Sequence, residues 1–166
     1  MKVIKKQTNS KMCLICGMEN PAGVRAPFYE MEDDSVMTVF QFREEHQSYP
    51  GRTHGGMIST MLDELIGRAI WINEPTIWGV TMDIHVKFRK PVPYNETLIG
   101  QGKITKNSKM FFSGEGYIFD EYGKLLAEAT VNYIKLPISK ISETAKHEDI
   151  DVLIEDNVTE INFKER

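Results

Sequence analysis

The chain has 166 residues, of which 41% are hydrophobic and 27% are charged, and its formal net charge is −4. These values are typical of one soluble globular domain, and they disfavour nucleic-acid binding, which uses a clustered basic surface. No segment approaches the ~20 apolar residues of a membrane-spanning helix. The basic start MKVIKKQTNSKM lacks the apolar core of a secretory signal. We therefore expect a cytoplasmic protein that binds neither nucleic acid nor membrane.

The only two cysteines, Cys13 and Cys16, lie in the motif CLICG, within a polar N-terminal extension that we place at residues 1–24. A Cys-x-x-Cys pair is compatible with a structural turn, with a metal site completed by histidine or by another subunit, and with a redox pair. A closed zinc site needs four ligands, and the chain has no second cysteine pair. We therefore favour a structural turn with ordinary thiols, and we expect no metal and no cofactor.

Next along the chain, PFYEMEDDSVMTVFQF predicts two strands around a turn at Asp33, and REEHQSYPGRT predicts a loop. Residues 56–72 have the apolar spacing of one long helix. After the helix the period changes to two, which predicts a half-buried strand with one apolar face. That face comprises Val80, Met82, Ile84, Val86 and Phe88. Three more strands follow in ETLIGQGKIT, MFFSGEGYIF and KLLAEATVNYIKL, joined by the turns KNSK and DEYGK.

This order of elements predicts an α+β fold over residues 25–137. Alternating strands need a covered face, and one helix can cover only one face of a sheet. We therefore expect a curved antiparallel sheet of about six strands that wraps around a long central helix. The edge of such a sheet can pair with a second copy of the chain. Residues 138–166 are predicted to form one short helix and a frayed tail.

Two adjacent acids, Asp63 and Glu64, lie in the middle of the predicted helix. Glu64 precedes Arg68 by one turn, which predicts a solvated ion pair. Asp63 lies at the other margin of the apolar arc, and the stripe that it shares consists of small residues: Gly56, Ser59 and Gly67. Two interpretations of Asp63 remain open, a carboxylate that an approaching ligand can reach and an acceptor of structural hydrogen bonds.

The start of the helix contains an adjacent pair of glycines. Thr53 is the predicted N-cap, which would leave the N–H groups of Gly55 and Gly56 without acceptors. A helix N-terminus favours negative charge, and glycine lets a ligand come close to the backbone. The helix therefore offers an oxyanion site at its start and a carboxylate two turns later, as carbonyl chemistry requires.

The motif HGGMISTMLDE follows a Pro-Gly loop and precedes WGVTMDIHVKFRKPVPYNETL. This combination resembles the hotdog-fold acyl-CoA thioesterases of the phenylacetate-pathway type, within the thioesterase superfamily, over about residues 27–135. The resemblance implies a hotdog fold and hydrolysis of an acyl-CoA to a free acid and CoA. It also implies a homodimer with active sites at the interface, which can pair further into a homotetramer.

The same resemblance implies roles for individual residues. Asp63 falls on the catalytic carboxylate, which acts as general base or nucleophile, and Gly55 on the glycine whose N–H polarises the thioester carbonyl. His54 falls on the motif histidine, and Thr81 on a residue that positions water or the acyl group. Gly55 and Asp63 of one site are implied to come from different subunits.

Substrate contacts are assigned on similar grounds. Ser48 stands where some members have an asparagine that holds substrate or water, and Gln47 or His46 could replace it. CoA is a polyanion, so basic residues are candidates for its binding, although each also suits a solvated surface. Gly56 is a further candidate for substrate binding, next to the thioester carbonyl. The basic candidates for CoA binding are Arg52, Lys87, Arg89, Lys90, Lys103, Lys106 and Lys109. The acyl chain could be lined by Met61, Trp71, Trp78, Met82, Phe88, Phe111 and Phe112, all of which also suit a core.

Two other functions compete with hydrolysis. The stretch SYPGR is similar to the HFPGR of hotdog dehydratases, whose histidine carries the proton chemistry. Ser48 replaces that histidine, which argues against dehydration. A non-catalytic acyl-CoA-binding module would keep the fold, but it would have no need of Asp63 beside small residues. We therefore favour the thioesterase.

Overall fold

The computed structural model describes residues 1–165, which contain nine strands, three α-helices and two 3-10 turns. The strands are β1 (Val3–Lys6), β2 (Tyr29–Met31), β3 (Val36–Phe40), β4 (Gln47–Tyr49), β5 (Arg52–Thr53), β6 (Trp78–Phe88), β7 (Leu98–Asn107), β8 (Phe111–Asp120) and β9 (Leu125–Leu136). The helices are α1 (Gly55–Arg68), α2 (Ile138–Ile141) and α3 (His147–Ile150), and the 3-10 turns are Glu44–His46 and Ala69–Ile72. The predicted helix over 56–72 is thus α1 with its 3-10 extension.

Seven strands form one antiparallel sheet in the order β1-β2-β3-β7-β8-β9-β6, and β4 and β5 form a separate hairpin. The helix α1 lies on one face of this sheet and contacts β3, β6, β7, β8 and β9. The predicted fold, one long helix against a large antiparallel sheet, is confirmed. The sheet has one strand more than expected because residues 3–6 of the polar N-terminal extension pair with β2.

Glycines on the two central strands bring α1 unusually close to the sheet. A Cβ added at Gly102 would lie 2.7 Å from the backbone oxygen of Leu65, and one at Gly114 would lie 2.4 Å from Ile66 Cγ2. The glycines that meet α1 in this way are Gly100 and Gly102 on β7 and Gly114 and Gly116 on β8. Because no side chain separates helix from sheet there, Leu65 and Ile66 are fully buried.

A β-bulge changes which residues of β6 face the helix. The register with β9 shifts between Thr81 and Asp83, so that Thr81 is opposite Tyr133 and Ile84 is opposite Val131. Directly paired residues of antiparallel strands lie on the same face of the sheet. Thr81 therefore shares the inner face with Ile84, and the predicted strict alternation through Met82 is wrong at the bulge.

The N-terminal extension covers the Glu64 side of α1. Arg68 is 4% exposed, and its guanidinium donates to Glu64 Oε1 over 2.8 Å and to the carbonyl oxygen of Thr8 over 2.9 Å. The guanidinium also lies 4.4 Å from the ring centroid of Phe28. The prediction of a solvated ion pair is wrong, because residues that precede the first half of the sheet fold back over the helix.

The C-terminal segment follows the edge of the sheet, so the frayed tail was wrongly predicted. After the two one-turn helices α2 and α3, the N–H of Val3 donates to the carbonyl oxygen of Thr159, and the N–H of Ile161 to that of Met1. Ile161 is buried against the outer face of the sheet beside Met37. The tail thus covers the β1 edge of the sheet. The predicted domain boundaries near residues 24 and 137 stay a prediction.

No helix in residues 1–165 combines the length and the apolar character needed to cross a membrane.

Replacing Gly102 with alanine tests the close approach of helix and sheet. Its added methyl group would collide with the backbone of Leu65, so we expect Gly102→Ala to lower the free energy of unfolding by about 1–3 kcal/mol. Urea unfolding at one fixed protein concentration measures this change. Lys106→Ala, at an exposed position on the same strand, is the control. A Gly102→Ala protein as stable as the control would contradict this explanation.

Candidate active site

The Asp63 carboxylate lies in a small pocket between α1 and the inner face of the sheet. Thr81 Oγ donates to Asp63 Oδ1 over 2.8 Å, and the hydroxyl of Tyr133 donates to the Asp63 carbonyl oxygen over 2.8 Å. The pocket measures about 90 Å³, and Trp71 and Trp78 line its far end. Asp63 and Thr81, predicted together from the motif, are therefore brought together by the fold.

Partial burial sets the protonation chemistry of this carboxylate. Loss of solvent raises the pKa of Asp63 above its usual value, and the hydrogen bond from Thr81 opposes that rise. The charge of neighbouring Glu64 adds a smaller upward shift of the Asp63 pKa. A carboxylate with a raised pKa is a stronger proton acceptor than an exposed aspartate, as a general base requires.

The start of α1 is capped by His54 and not by Thr53. His54 Nδ1 accepts the N–H of Gly56 over 2.9 Å, whereas the Thr53 hydroxyl donates to the carbonyl oxygen of Pro93. The predicted N-cap is therefore wrong, and Gly56 does not offer a free N–H. Within residues 1–165, Gly55 has the one N–H of the first helical turn without an acceptor. His54 itself is exposed and its side chain caps the helix, while its predicted catalytic role stays a prediction.

A second and larger pocket, of about 480 Å³, surrounds Gly55. Ser48, Arg52, Arg89 and Lys90, all predicted to bind substrate, line it together with the ring of Phe88. Arg89 is engaged by Glu128, with 2.6 Å between Nη2 and Oε1. The other predicted cations are dispersed, since Lys103 and Lys106 line a separate cavity beside the end of α1.

Gly55 and Asp63 do not meet within one chain. Eight residues separate them on one helix, which corresponds to about 12 Å along the axis at ~1.5 Å per residue. The N–H donor must lie about 3 Å from the carbonyl oxygen, and the base must lie within hydrogen-bond reach of the water that attacks the same carbonyl. Within one chain, Gly55 and Asp63 therefore lie in two separate pockets.

The alternatives to Ser48 are not equivalent. His46 is buried, its Nδ1 accepts the N–H of Arg43 over 3.0 Å, and its Nε2 lies 2.7 Å from the carbonyl oxygen of Ala22. This imidazole fastens the N-terminal extension to the loop, so the suggestion that His46 replaces the asparagine is wrong. Gln47 is exposed on β4, as Ser48 is.

The predicted acyl-lining residues divide between core and surface. Met61 and Phe112 are fully buried and belong to the core, while Met82 and Phe88 are more than half exposed. Trp71 and Trp78 pack edge to face beside the Asp63 pocket, with 4.6 Å between their ring centroids.

Tyr133, which contacts Asp63, was missed. Its ring lies beside Gly67, at a distance of 3.5 Å from an added Cβ, so the small residue one turn after Asp63 makes room for tyrosine. Its position on the inner face of β9 could have indicated this contact, because a buried tyrosine hydroxyl needs a hydrogen-bond partner.

The cysteines of the N-terminal extension lie close to Glu64. Within residues 1–165, Cys13, Cys16 and Glu64 are the group of side chains that could hold a metal.

The chain is similar in sequence and in fold to known thioesterases. Residues 50–127 match the profile of the thioesterase superfamily. Over 117 residues the chain is 30% identical to acyl-coenzyme A thioesterase THEM4 of Mus musculus, an alignment that covers 69% of this chain and 49% of THEM4. The chain therefore spans about half the length of that relative.

Solved structures share the fold. Zebra fish thioesterase superfamily member 2 superimposes with a TM-score of 0.63 at 19% identity, covering 72% of this chain and 88% of that one. A hypothetical thioesterase protein from Streptococcus pneumoniae, solved with coenzyme A, gives a TM-score of 0.59 at 20% identity, covering 68% and 86%. Residues 50–127 thus resemble a thioesterase superfamily domain, the whole sheet and helix share the hotdog fold of these structures, and the resemblance predicted from the helix motif is confirmed.

Replacing Thr81 with valine tests its hydrogen bond to Asp63. Because the Thr81 hydroxyl stabilises the charged carboxylate, we expect Thr81→Val to raise the pKa of Asp63 beyond its value in the wild type. Carboxyl ¹³C NMR across a pH titration measures the shift. Thr60→Val is the matched control, since Thr60 Oγ1 donates to the Gly56 carbonyl oxygen one turn earlier. An unchanged or lower pKa in Thr81→Val would refute this assignment.

Proposed function

We propose that this protein hydrolyses an acyl-CoA thioester to a free acid and CoA, with each active site shared between two protomers. The observation that carries the proposal is the pair of half-sites in one chain. A free N–H at a helix N-terminus lies in one pocket, and a half-buried carboxylate lies in another, about 12 Å away along α1. A second chain is needed to bring Gly55 of one protomer beside Asp63 of the other.

The edges of the sheet support a two-fold dimer. The C-terminal tail pairs with β1, but β6 has no neighbouring strand on its outer side in residues 1–165. Apolar side chains are exposed along β6, with Met82 at 58% and Phe88 at 55% exposure. An exposed apolar edge strand invites pairing with a second copy, and an antiparallel pair has two-fold symmetry. Thr81 belongs to this edge strand, and Gly55 lies beside it because it is next to the ring of Phe88.

In the proposed mechanism the Gly55 N–H donates to the thioester oxygen as negative charge develops on it. The hydrogen bond from Thr81 to Asp63 Oδ1 leaves Oδ2 to accept a proton from water, and the pocket is large enough to hold that water. The water oxygen then attacks the carbonyl carbon, and the tetrahedral intermediate expels the CoA thiolate. Room for a water beside the carboxylate favours the general-base route over direct attack by Asp63.

The CoA half of the substrate is inferred from two lines of support. Arg52 and Lys90 give the Gly55 pocket a positive rim that suits phosphates. THEM4 is named as an acyl-coenzyme A thioesterase, and the Streptococcus pneumoniae relative was solved with coenzyme A. We assign the Gly55 pocket to the thioester and the adjoining part of CoA.

Substituting Gly55 by proline and by alanine isolates its N–H. His54 has φ −64° and ψ 135°, a conformation that accepts a following proline, and proline is favoured at the first helical position. Gly55→Pro therefore keeps the helix start but lacks the donor, and we expect kcat to fall by about 10²–10³. The measurement is CoA release from a panel of short, medium, long and aryl acyl-CoAs, detected with a thiol reagent.

Gly55→Ala is the matched control, because it keeps the N–H and its Cβ would lie 3.4 Å from the Phe88 ring. It should retain most of the wild-type kcat. Equal losses in both variants would mean that shape and not the donor matters. If the wild type binds acyl-CoA tightly but does not hydrolyse it, the protein is an acyl-CoA-binding module and not an enzyme.

Mixing two inactive variants tests the shared site. We expect Asp63→Asn alone to reduce activity by about 10² or more, because it removes the base. A heterodimer of Asp63→Asn and Gly55→Pro has one intact site if each site draws on both chains. Equal mixing after unfolding and refolding should then restore about a quarter of wild-type activity, since half of the dimers are mixed and each has one working site of two. No recovery, with mixed dimers verified by mass spectrometry, would place both groups in one chain.

A further inference from the structure

A group of side chains that could hold a metal adjoins the proposed active site on the Glu64 side of α1. It joins the CLICG turn of the N-terminal extension to the middle of α1. The Cys13 and Cys16 sulfurs and a carboxylate oxygen of Glu64 all lie within 4.8 Å of one another. Both cysteines are free, Cys16 is buried, and no histidine belongs to the group.

The backbone of the turn is shaped around the Cys13 sulfur. The N–H groups of Ile15 and Cys16 both donate to Cys13 Sγ, over 3.3 and 3.4 Å. The N–H of Gly17 donates to the Cys13 carbonyl oxygen over 2.8 Å, and a Cβ at Gly17 would lie 2.3 Å from that oxygen, so only glycine fits there. Two N–H donors directed at one sulfur fix its position and orient it toward Cys16 and Glu64.

The third donor is held in place by a buried cation. Arg68 Nε binds Glu64 Oε1 over 2.8 Å, which fixes the carboxylate and leaves its second oxygen for another ligand. Tetrahedral Zn²⁺ with Zn–S bonds of ~2.3 Å would hold two sulfurs about 3.8 Å apart. The observed separations of at most 4.8 Å are therefore closed by side-chain adjustments of about 1 Å, within the reach of χ rotations.

Charge balance also favours a divalent cation. Arg68 pairs with Glu64, with 2.8 Å between Nε and Oε1. When Zn²⁺ binds, two thiol protons leave, the two thiolates balance the charge of the metal, and Arg68 continues to balance Glu64. The zinc-bound cluster is thus neutral, which lowers the cost of burying it.

We propose that Cys13, Cys16 and Glu64 bind one Zn²⁺ per chain, with the fourth coordination position open to water. Thiolate with carboxylate suits zinc better than magnesium or calcium, which prefer oxygen ligands alone. The metal ties the N-terminal extension to the helix that carries Asp63. This proposal is independent of the proposed hydrolase activity.

Metal binding by the full-length protein tests the proposal directly. Reduced protein, stripped with a chelator, is titrated with Co²⁺ as a spectroscopic substitute and with Zn²⁺ against a chromophoric chelator. We expect one equivalent of metal per chain, a thiolate-to-cobalt charge-transfer band in the near ultraviolet, and a higher Tm with Zn²⁺. Glu64→Gln should weaken Zn²⁺ binding by roughly tenfold or more. Cys16→Ser should lose the charge-transfer band.

Glu74→Gln is the matched control, since Glu74 also pairs with a cation, Lys135, but lies outside the cluster. It should bind zinc like the wild type. Three results would overturn the proposal, and the first two need only the wild type, so they hold even if a variant fails to fold. In the first, the reduced wild type binds no metal. In the second, it binds Co²⁺ but shows no thiolate-to-cobalt band. In the third, the Zn²⁺ affinity is unchanged when both cysteines are replaced by serine. Disulfide formation by a protein that does not bind zinc would identify a redox dithiol pair instead.

Discussion

The contact between α1 and the glycine positions of β7 and β8 is the constraint on which the rest of the structure depends. At Gly102 and Gly114 the helix lies against sheet backbone, with no Cβ between them. Such close packing excludes water from Leu65 and Ile66 and leaves the helix little freedom to rotate or slide. The surroundings of each side chain of α1 therefore depend on the side of the helix from which it projects.

For this reason the two adjacent acids of the helix face different surroundings. A step of one residue turns the helix by about 100°. Asp63 therefore faces Thr81 and Tyr133 at the open edge of the sheet, whereas Glu64 faces Arg68 and the N-terminal extension. The adjacent glycines at the helix start are also unequal. Gly56 is used by the His54 cap, and Gly55 keeps a free N–H.

In the proposed function, the two edges of the sheet account for an active site that needs two chains. Its own tail pairs with β1, while β6 presents apolar side chains to solvent within the described part of the chain. The half-sites at Gly55 and Asp63 both adjoin that open side. A structure that closes one edge with its own tail and leaves the other exposed favours association through the exposed edge.

Local patterns in the sequence were sufficient for the long helix and for the long strands after it, and the helix motif singled out Asp63 as a candidate. The helix over 56–72, the strands after it and their hairpin turns follow from periods of 3.6 and 2, which adjacent residues express without regard to distant partners. The spacing of His54, Gly55 and Asp63 is likewise a property of one short stretch of sequence. These features depend on neighbours in the chain, so the chain alone determined them.

The tertiary structure decided what depends on residues far apart in sequence. Strict alternation put Thr81 on the wrong face, because the bulge at Met82 is set by pairing with β9. Arg68 was expected in solvent, but an extension sixty residues earlier covers it. Tyr133 reaches Asp63 only because β9 lies beside β6. Periodicity describes which side of an element is apolar, and only packing decides what lies against that side.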